Sequence, residues 1–362
     1  MASAQDIYRH RQQALRGALL RSGLEAVLVS HRPNIRYLCG FTGTAGMLVV
    51  ASGRSALFTD GRYLEQAKGQ VTADEVHAEG NPLARSVAWT AKSVKGAVGC
   101  EESHLTVKEW ESIKGNGRRR LRLGDAQGLV EKLRMIKDDG EIDKIRAAVE
   151  LGSKLFQKVL ERIRPGVREI DIAAEIEYAA RKHGADGMSF ETIVASGARS
   201  ALPHGVASPQ RLPARGFVVL DFGVILSGYC SDMTRTVHLG RPDSEARRMY
   251  RAVLGAQRAA LKAVKPGASA HAIDRAARGL LHKAGLDQFF THSTGHGVGL
   301  EIHEAPRLAQ KCRDKLKPGM VVTIEPGVYV PGESGVRIED MVVVTPGGCE
   351  VLTATTKELI VI

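Results

Sequence analysis

No apolar run in this chain approaches the length of a membrane span, so a helical membrane protein is not expected. The first twenty residues include Asp6, Arg9, Arg11 and Arg16 and build no signal-peptide core. Cysteine is scarce and unpatterned: Cys39, Cys100, Cys230, Cys312 and Cys349 are odd in number, scattered and without a CxxC pair. That argues against a disulfide framework and fits reduced thiols, hence a cytoplasmic location. Low-complexity tracts are missing. So is a phosphate loop, because Gly40-Phe41-Thr42-Gly43 lacks the lysine that such a loop requires. A chain that is 43% hydrophobic and 25% charged reads as soluble and globular, and 362 residues exceed one ordinary core. Two domains are expected.

The net charge of +11 invites a polyanionic partner. Most lysines and arginines, however, interleave with acids along helical stretches, the pattern of a solvated face. Only Arg118-Arg119-Arg120, with Lys114 and Arg122 beside the turn Gly115-Asn116-Gly117, forms a tight basic cluster. No nucleic-acid motif accompanies it, and no nucleic-acid or membrane partner is expected.

Residues 1–127 alternate between the two periods. Ile7–Leu20, Gly61–Gly69, Leu83–Val94 and Val107–Ile113 read as helices; Ala26–Val29, Met47–Val50, Ala56–Thr59, Ala97–Gly99 and Leu121–Leu123 read as strands. The alternation predicts an α/β domain with a partly parallel sheet and no chemistry of its own. A second domain, 138–362, begins past Lys137-Asp138-Asp139-Gly140, where Asp138 and Glu141 make a capping box. Ile142, Ile145, Val149, Phe156 and Ile163 keep helical spacing behind it, and a second helix is expected over Ile170–Lys182.

Chemistry concentrates in two hairpins. In Phe217–Val237 an apolar strand ends at Asp221, a Gly-containing turn follows, and the return strand carries Asp232. Asp is depleted from strands and rarely buried unless paired or bound to metal. Met320–Val344 repeats the layout with Glu325 and Glu339. The surroundings repeat as well. Arg164-Pro165-Gly166 answers Lys265-Pro266-Gly267, Gly184 answers Gly285, and Ser196-Gly197…His204 parallels Thr294-Gly295…His303. This predicts an internally duplicated α+β domain. Between the hairpins, His292, His296 and His303 lie among glycines. His296 completes a candidate set with Asp221, Asp232, Glu325 and Glu339. Four carboxylates and one imidazole hold too many oxygens for a structural zinc site. Their charge suits two divalent ions, with manganese favoured and cobalt or zinc open. Such a pair activates water and polarises a carbonyl, which is hydrolytic chemistry.

The segments IVASGARSALPHG, VVLDFG, GYCSDMTRT, HSTGHGVGLEIHE, VVTIEPGVY and GVRIED, in this order, resemble those of the pita-bread metallopeptidases. NIRYL, GFTG and TDGRY in the first domain resemble the short, two-domain Xaa-Pro aminopeptidases and Xaa-Pro dipeptidases. The resemblance covers nearly the whole chain. It implies a pita-bread catalytic domain and a dinuclear site, usually of manganese or cobalt, held by Asp221, Asp232, His296, Glu325 and Glu339. It further implies Glu325 as proton acceptor, His204 and His303 lining the substrate, His292 near the proline pocket, and a homodimer. Arg337, two residues before Glu339 on the same face of one expected strand, is expected to orient carboxylates. A dipeptidase needs a committed cation for the free proline carboxylate. No arginine inside the histidine or Pro-Gly motifs supplies one, Arg199 lies among small residues in a loop, and the expectation is an aminopeptidase acting on Xaa-Pro-Yaa peptides. Dipeptidase action on Xaa-Pro is the alternative, and a non-catalytic binding protein a remoter one.

Overall fold

The computed structural model describes residues 3–117 and 121–362; the basic cluster Arg118–Arg120 lies outside the described residues. The chain divides into two compact units, Met1–Arg134 and Met135–Ile362. In the first, the elements run α1 (Ala4–Arg21), β1 (Ala26–Val29), α2 (Arg32–Cys39), β2 (Gly46–Ala51), β3 (Ser55–Thr59), α3 (Leu64–Gln70), β4 (Glu75–Ala78), α4 (Pro82–Ser93), β5 (Ala97–Cys100), α5 (Val107–Gly117), β6 (Arg122–Asp125) and α6 (Leu129–Arg134). The strands form one sheet in the order β4-β3-β2-β1-β5-β6. The β3–β4, β1–β5 and β5–β6 pairs are parallel and the others antiparallel. β1 is buried along its length and fills the sheet centre, as its run of apolar residues requires. Three elements escaped the sequence pattern. α2 is too short to show a period and starts at a Pro, β4 carries the polar pair Glu75 and His77, and α6 falls between the two expected domains.

The second unit opens with α7 (Asp139–Leu160), which has the expected capping box: Asp138 Oδ1 accepts from Glu141 N at 2.9 Å, and Asp138 N donates to Glu141 Oε2 at 3.1 Å. Then follow α8 (Glu169–Lys182), β7 (Gly187–Met188), β8 (Ile193–Ser196), β9 (Gly216–Phe222), β10 (Val224–Leu226), β11 (Tyr229–Cys230) and β12 (Met233–Leu239). The second half runs α9 (Ser244–Ala263), α10 (Ala270–Lys283), β13 (Gly295–Gly297), β14 (Glu304–Leu308), β15 (Val321–Ile324), β16 (Gly327–Val330), β17 (Ser334–Arg337), β18 (Asp340–Thr345) and β19 (Gly348–Val351). Each half is a helix pair against an antiparallel ladder, β8-β9-β12 in one and β13-β15-β18 in the other.

The duplication extends to single hydrogen bonds. Gly166 N donates to Leu212 O at 2.9 Å and Leu212 N to Val167 O at 2.8 Å; Gly267 N donates to Leu316 O at 2.8 Å and Leu316 N to Ala268 O at 2.9 Å. Gly166 and Gly267 follow their prolines with φ of +85° and +80°, a left-handed turn that glycine adopts without strain. Each helix pair buries its apolar stripe on its own ladder, with Phe156 and Phe222 in the first cluster and Met249 and Ile273 in the second. Truncating a side chain as buried as Phe156 costs about 3–5 kcal/mol.

The two expected turns are more than turns. Val224–Leu226 pairs with Tyr229–Cys230, and Gly327–Val330 pairs with Ser334–Arg337, because both stretches carry enough β-branched residues to form small inner hairpins. Asp232 therefore sits in the break between β11 and β12, and Glu339 in the break between β17 and β18. Arg337 and Glu339 consequently do not share one strand, contrary to the sequence reading.

Candidate active site

The breaks aim the acids inward. Asp221 lies on β9 opposite Thr234 of β12, and Glu325 follows the last residue of β15. Between the halves, Glu339 N donates to Thr234 O at 3.2 Å, which brings the two pairs of acids together. His296 reaches them from β13. Its glycine neighbours make this possible: a Cβ on Gly295 would stand 1.9 Å from Thr323 O, and one on Gly297 would stand 2.2 Å from Ala305 O. Asp221, Asp232, His296, Glu325 and Glu339 line one cavity of about 630 Å³, with His204, His292, His303 and Arg337 in the same wall. That volume suits a small ligand.

Asp232, His296 and Glu339 each offer an atom within 4.8 Å of the others, and Asp221 and Glu325 adjoin this trio. His296 Nε2 is 3.6 Å from Asp232 Oδ2 and 3.4 Å from Glu325 Oε1. Its Nδ1–H donates to Gly297 O at 3.0 Å, which leaves Nε2 as the bare ligand atom. Burial pushes the imidazole pKa down, toward the neutral form that a metal needs. The acids show the opposite strain. Burial first, then repulsion from Glu339, Asp221 and Glu325, raises the Asp232 carboxyl well above its ordinary range. Burial and repulsion from Glu325 and Asp221 do the same to Glu339. Glu325 is pushed up to about 7, chiefly by desolvation, against the lowering field of Arg337. Two buried oxygens, Asp221 Oδ1 and Glu339 Oε1, have no hydrogen-bond partner. Crowded acids with oxygens left unpartnered around a bare imidazole nitrogen fit divalent cations.

Arg337 is fully engaged. Its Nε donates to Thr234 Oγ1 at 3.0 Å, Nη1 to Tyr329 OH at 2.7 Å and to Pro203 O at 3.0 Å, and Nη2 to Asp221. Thr234 in turn donates to Glu339 Oε2 at 2.8 Å, so one arginine fixes carboxylates of both halves. His292 is engaged at both nitrogens. Nδ1–H donates to Ser293 O at 2.8 Å, and Nε2 accepts from Tyr329 OH at 2.8 Å. Burial, followed by Arg337, holds its pKa down to about 3. It thus presents a neutral ring to the cavity rather than a free N–H. His303 stands edge-on to His296 with ring centroids 4.4 Å apart. Sequence reasoning missed Tyr329, which the VVTIEPGVY segment contains, and it missed Arg307.

Arg307 lies on β14, paired with His296 across the ladder, and lines the cavity. Directly paired residues share a face of the sheet, so the guanidinium stands on the side of the acids. It is exposed and has no hydrogen-bond or ion-pair partner among the described residues. The only sequence signal was its place four residues after His303.

Residues 143–346 match the model of metallopeptidase family M24, and residues 11–136 match the Creatinase/Prolidase N-terminal domain. The chain belongs to metallopeptidase family M24. Among solved structures, an Xaa-Pro dipeptidase from Bacillus anthracis is 41% identical with a TM-score of 0.95, covering 98% of this chain and 100% of that one. The Xaa-Pro dipeptidase of Pyrococcus horikoshii is 35% identical over 98% of this chain and 100% of its own length. An X-Pro aminopeptidase from Thermotoga maritima is 36% identical with a TM-score of 0.89, covering 97% of this chain and 100% of that one. As an M24 member with both domains, the protein is a peptidase of pita-bread fold, as the resemblance implied.

Proposed function

We propose that this M24 peptidase is an Xaa-Pro dipeptidase. The observation that carries the reading is the contrast among the arginines at the site. Arg337 commits four of its five N–H donors to Thr234, Pro203, Tyr329 and Asp221, and Arg199 is spent on Glu169 Oε2 at 3.1 Å and Val206 O at 2.8 Å. Arg307 has an unpartnered guanidinium facing the cavity, which is what the free carboxylate of a C-terminal proline requires. This reverses the expectation of an aminopeptidase, which rested on finding no such cation inside the motifs. The dipeptidase names of the Bacillus and Pyrococcus relatives support the same reading; the Thermotoga relative keeps the aminopeptidase as the second one.

Asp221, Asp232, His296, Glu325 and Glu339 would hold two divalent ions, with manganese the best match to the oxygen-rich donors. When bound, the ions supply an activated water and polarise the scissile carbonyl. Glu325 faces the cavity and would serve as the proton acceptor for an attacking water. His204 and His303 are both on the cavity wall and exposed, which supports their meeting the substrate's carbonyl and its departing nitrogen. The bond to proline has no N–H, so the leaving nitrogen must be given a proton. The five free cysteines support a reducing, cytoplasmic setting. The resemblance adds a homodimer to this reading, and light scattering showing a fully active monomer would remove that element.

The test compares kcat/KM on Ala-Pro, Ala-Pro-amide and Ala-Pro-Ala after reconstitution with manganese. A dipeptidase prefers Ala-Pro, and Arg307→Met raises its KM by roughly 10–100-fold with little change in kcat. Equal or better cleavage of Ala-Pro-Ala, untouched by Arg307→Met, restores the aminopeptidase.

A further inference from the structure

His204 owes its direction to its loop. The side chain is exposed and forms no hydrogen bond among the described residues, so nothing outside the loop aims the ring. The loop runs from Ser196, the last residue of β8, to Gly216 at the start of β9. Apart from a short 3-10 turn over Gly197–Ala201, it has no helix of its own.

We infer that Glu169 is the positioning residue for His204, clamping both shoulders of this loop from the first turn of α8. The inference rests on the reading of His204 as a residue of the reaction. Glu169 is fully buried. Its Oε1 accepts from Ser196 N and Ser196 Oγ, both at 2.8 Å. Its Oε2 accepts from Ser208 Oγ at 2.6 Å, Ser208 N at 3.2 Å and Arg199 Nη1 at 3.1 Å. Ser196 and Ser208 bracket His204. Arg199, inside the bracket, ties the arms together by donating to Val206 O at 2.8 Å. The crown is held separately: Gly335 N donates to Ser200 Oγ at 2.8 Å and Arg337 Nη1 to Pro203 O at 3.0 Å. All five groups on Glu169 donate to it, which two carboxylate oxygens accept and the NH2 half of an amide cannot.

The other half uses the same device. Asp274 in α10 is also fully buried and accepts from Thr294 Oγ1 and Arg278 Nε, each at 2.8 Å. Arg278 then donates to Phe290 O at 2.9 Å and to His292 O, securing the segment that leads to His292 and His296. In each half, the second helix lends a buried acid to the stretch that carries histidines, and an arginine pairs with it, Arg199 from the loop itself in one half and Arg278 from the helix in the other. Glu169 and Asp274 sit at different turns of their helices, so the device is shared without being a copied residue.

The experiment is a double-mutant cycle on metal-loaded enzyme with Ala-Pro as substrate. Glu169→Gln replaces an all-acceptor carboxylate with an amide of equal size. The expected result is a kcat lower by roughly 10–100-fold, with KM and metal content per chain near the wild-type values. In a His204→Ala background the same substitution causes no further loss, because its effect passes through that ring. A loss that multiplies with His204→Ala, or an unchanged kcat in Glu169→Gln, overturns the inference. Full activity of His204→Ala alone instead overturns the role of His204, and the positioning role falls with it. Should Glu169→Gln not fold, Ser208→Ala removes a single hydroxyl donor. It should give a smaller kcat loss that also vanishes in the His204→Ala background, and a loss that persists there overturns the inference.

Discussion

Both units of the chain bury carboxylates, but they treat them differently. In the first, Glu101 is 2% exposed and surrounded by donors: Ser30 N at 2.7 Å and His31 N at 2.8 Å on one oxygen, Asn34 Nδ2 at 2.6 Å on the other. Burial raises its pKa, the backbone donors of Ser30 and His31 and the Asn34 amide lower it, and the carboxylate serves to tie β1, α2 and β5 together. In the second unit Asp232 and Glu339 are as deeply buried, at 5% and 2%, yet they face other acids, and Glu339 keeps an oxygen without a partner. Glu101, with both oxygens satisfied, holds the chain in place. Acids crowded in one cavity with an oxygen left over, as on Asp221 and Glu339, fit a cation.

Substitution should separate the two kinds most sharply. Glu339→Ala removes a ligand and should lower turnover at least roughly a thousandfold while the protein stays folded. Glu101→Ala leaves the backbone N–H groups of Ser30 and His31 without their acceptor and should cost about 1–3 kcal/mol of stability, read by denaturant unfolding, with kcat unchanged. Turnover that survives in Glu339→Ala, or a collapse of kcat in folded Glu101→Ala, breaks the comparison.

An intermediate effect is expected at Arg337, which serves structure and chemistry together. Lysine keeps the charge but cannot reach Asp221, Tyr329 and Thr234 at once. Arg337→Lys should lower kcat by roughly 10–100-fold, whereas a wild-type rate would show that the guanidinium only fills space.

The smallest effect concerns pH. Asp232, Glu325 and Glu339 have folded pKa values above their unfolded ones, with Glu325 at about 7. Such groups favour the fold below the unfolded pKa of about 4, and that contribution is lost as pH rises through the folded pKa. Metal-free protein should therefore lose stability from Glu325 between about pH 4 and pH 7, and from Asp232 and Glu339 as pH rises through their own raised values, and bound cations should restore it. The rise in Tm on adding manganese should be larger at pH 8 than at pH 5.5. An equal rise at both would show that the acids are not mutually strained.

Much of this arrangement was legible in the sequence because its signals are local. Asp221, Asp232, Glu325 and Glu339 interrupt apolar runs, and the Pro-Gly turns repeat around them. The capping box of Asp138 and Glu141 marked the start of α7 to the residue. What escaped depends on contacts between distant segments. Arg307 gains meaning only when β14 pairs with β13 and brings it opposite His296. The place of Arg337 was misjudged because the alternation of a single strand was assumed where the chain turns between β17 and β18. Glu169 gave no signal at all, being one of several acids at the start of a helix until Ser196 and Ser208 fold onto it.

The claim that these buried, crowded acids form a metal-dependent peptidase site is tested most directly by titrating chelated protein with manganese while following both bound metal and Ala-Pro hydrolysis. The account predicts no turnover without metal, and activity that rises in step with binding and levels off at two ions per chain. Full hydrolysis by protein that elemental analysis shows to be metal-free would contradict it.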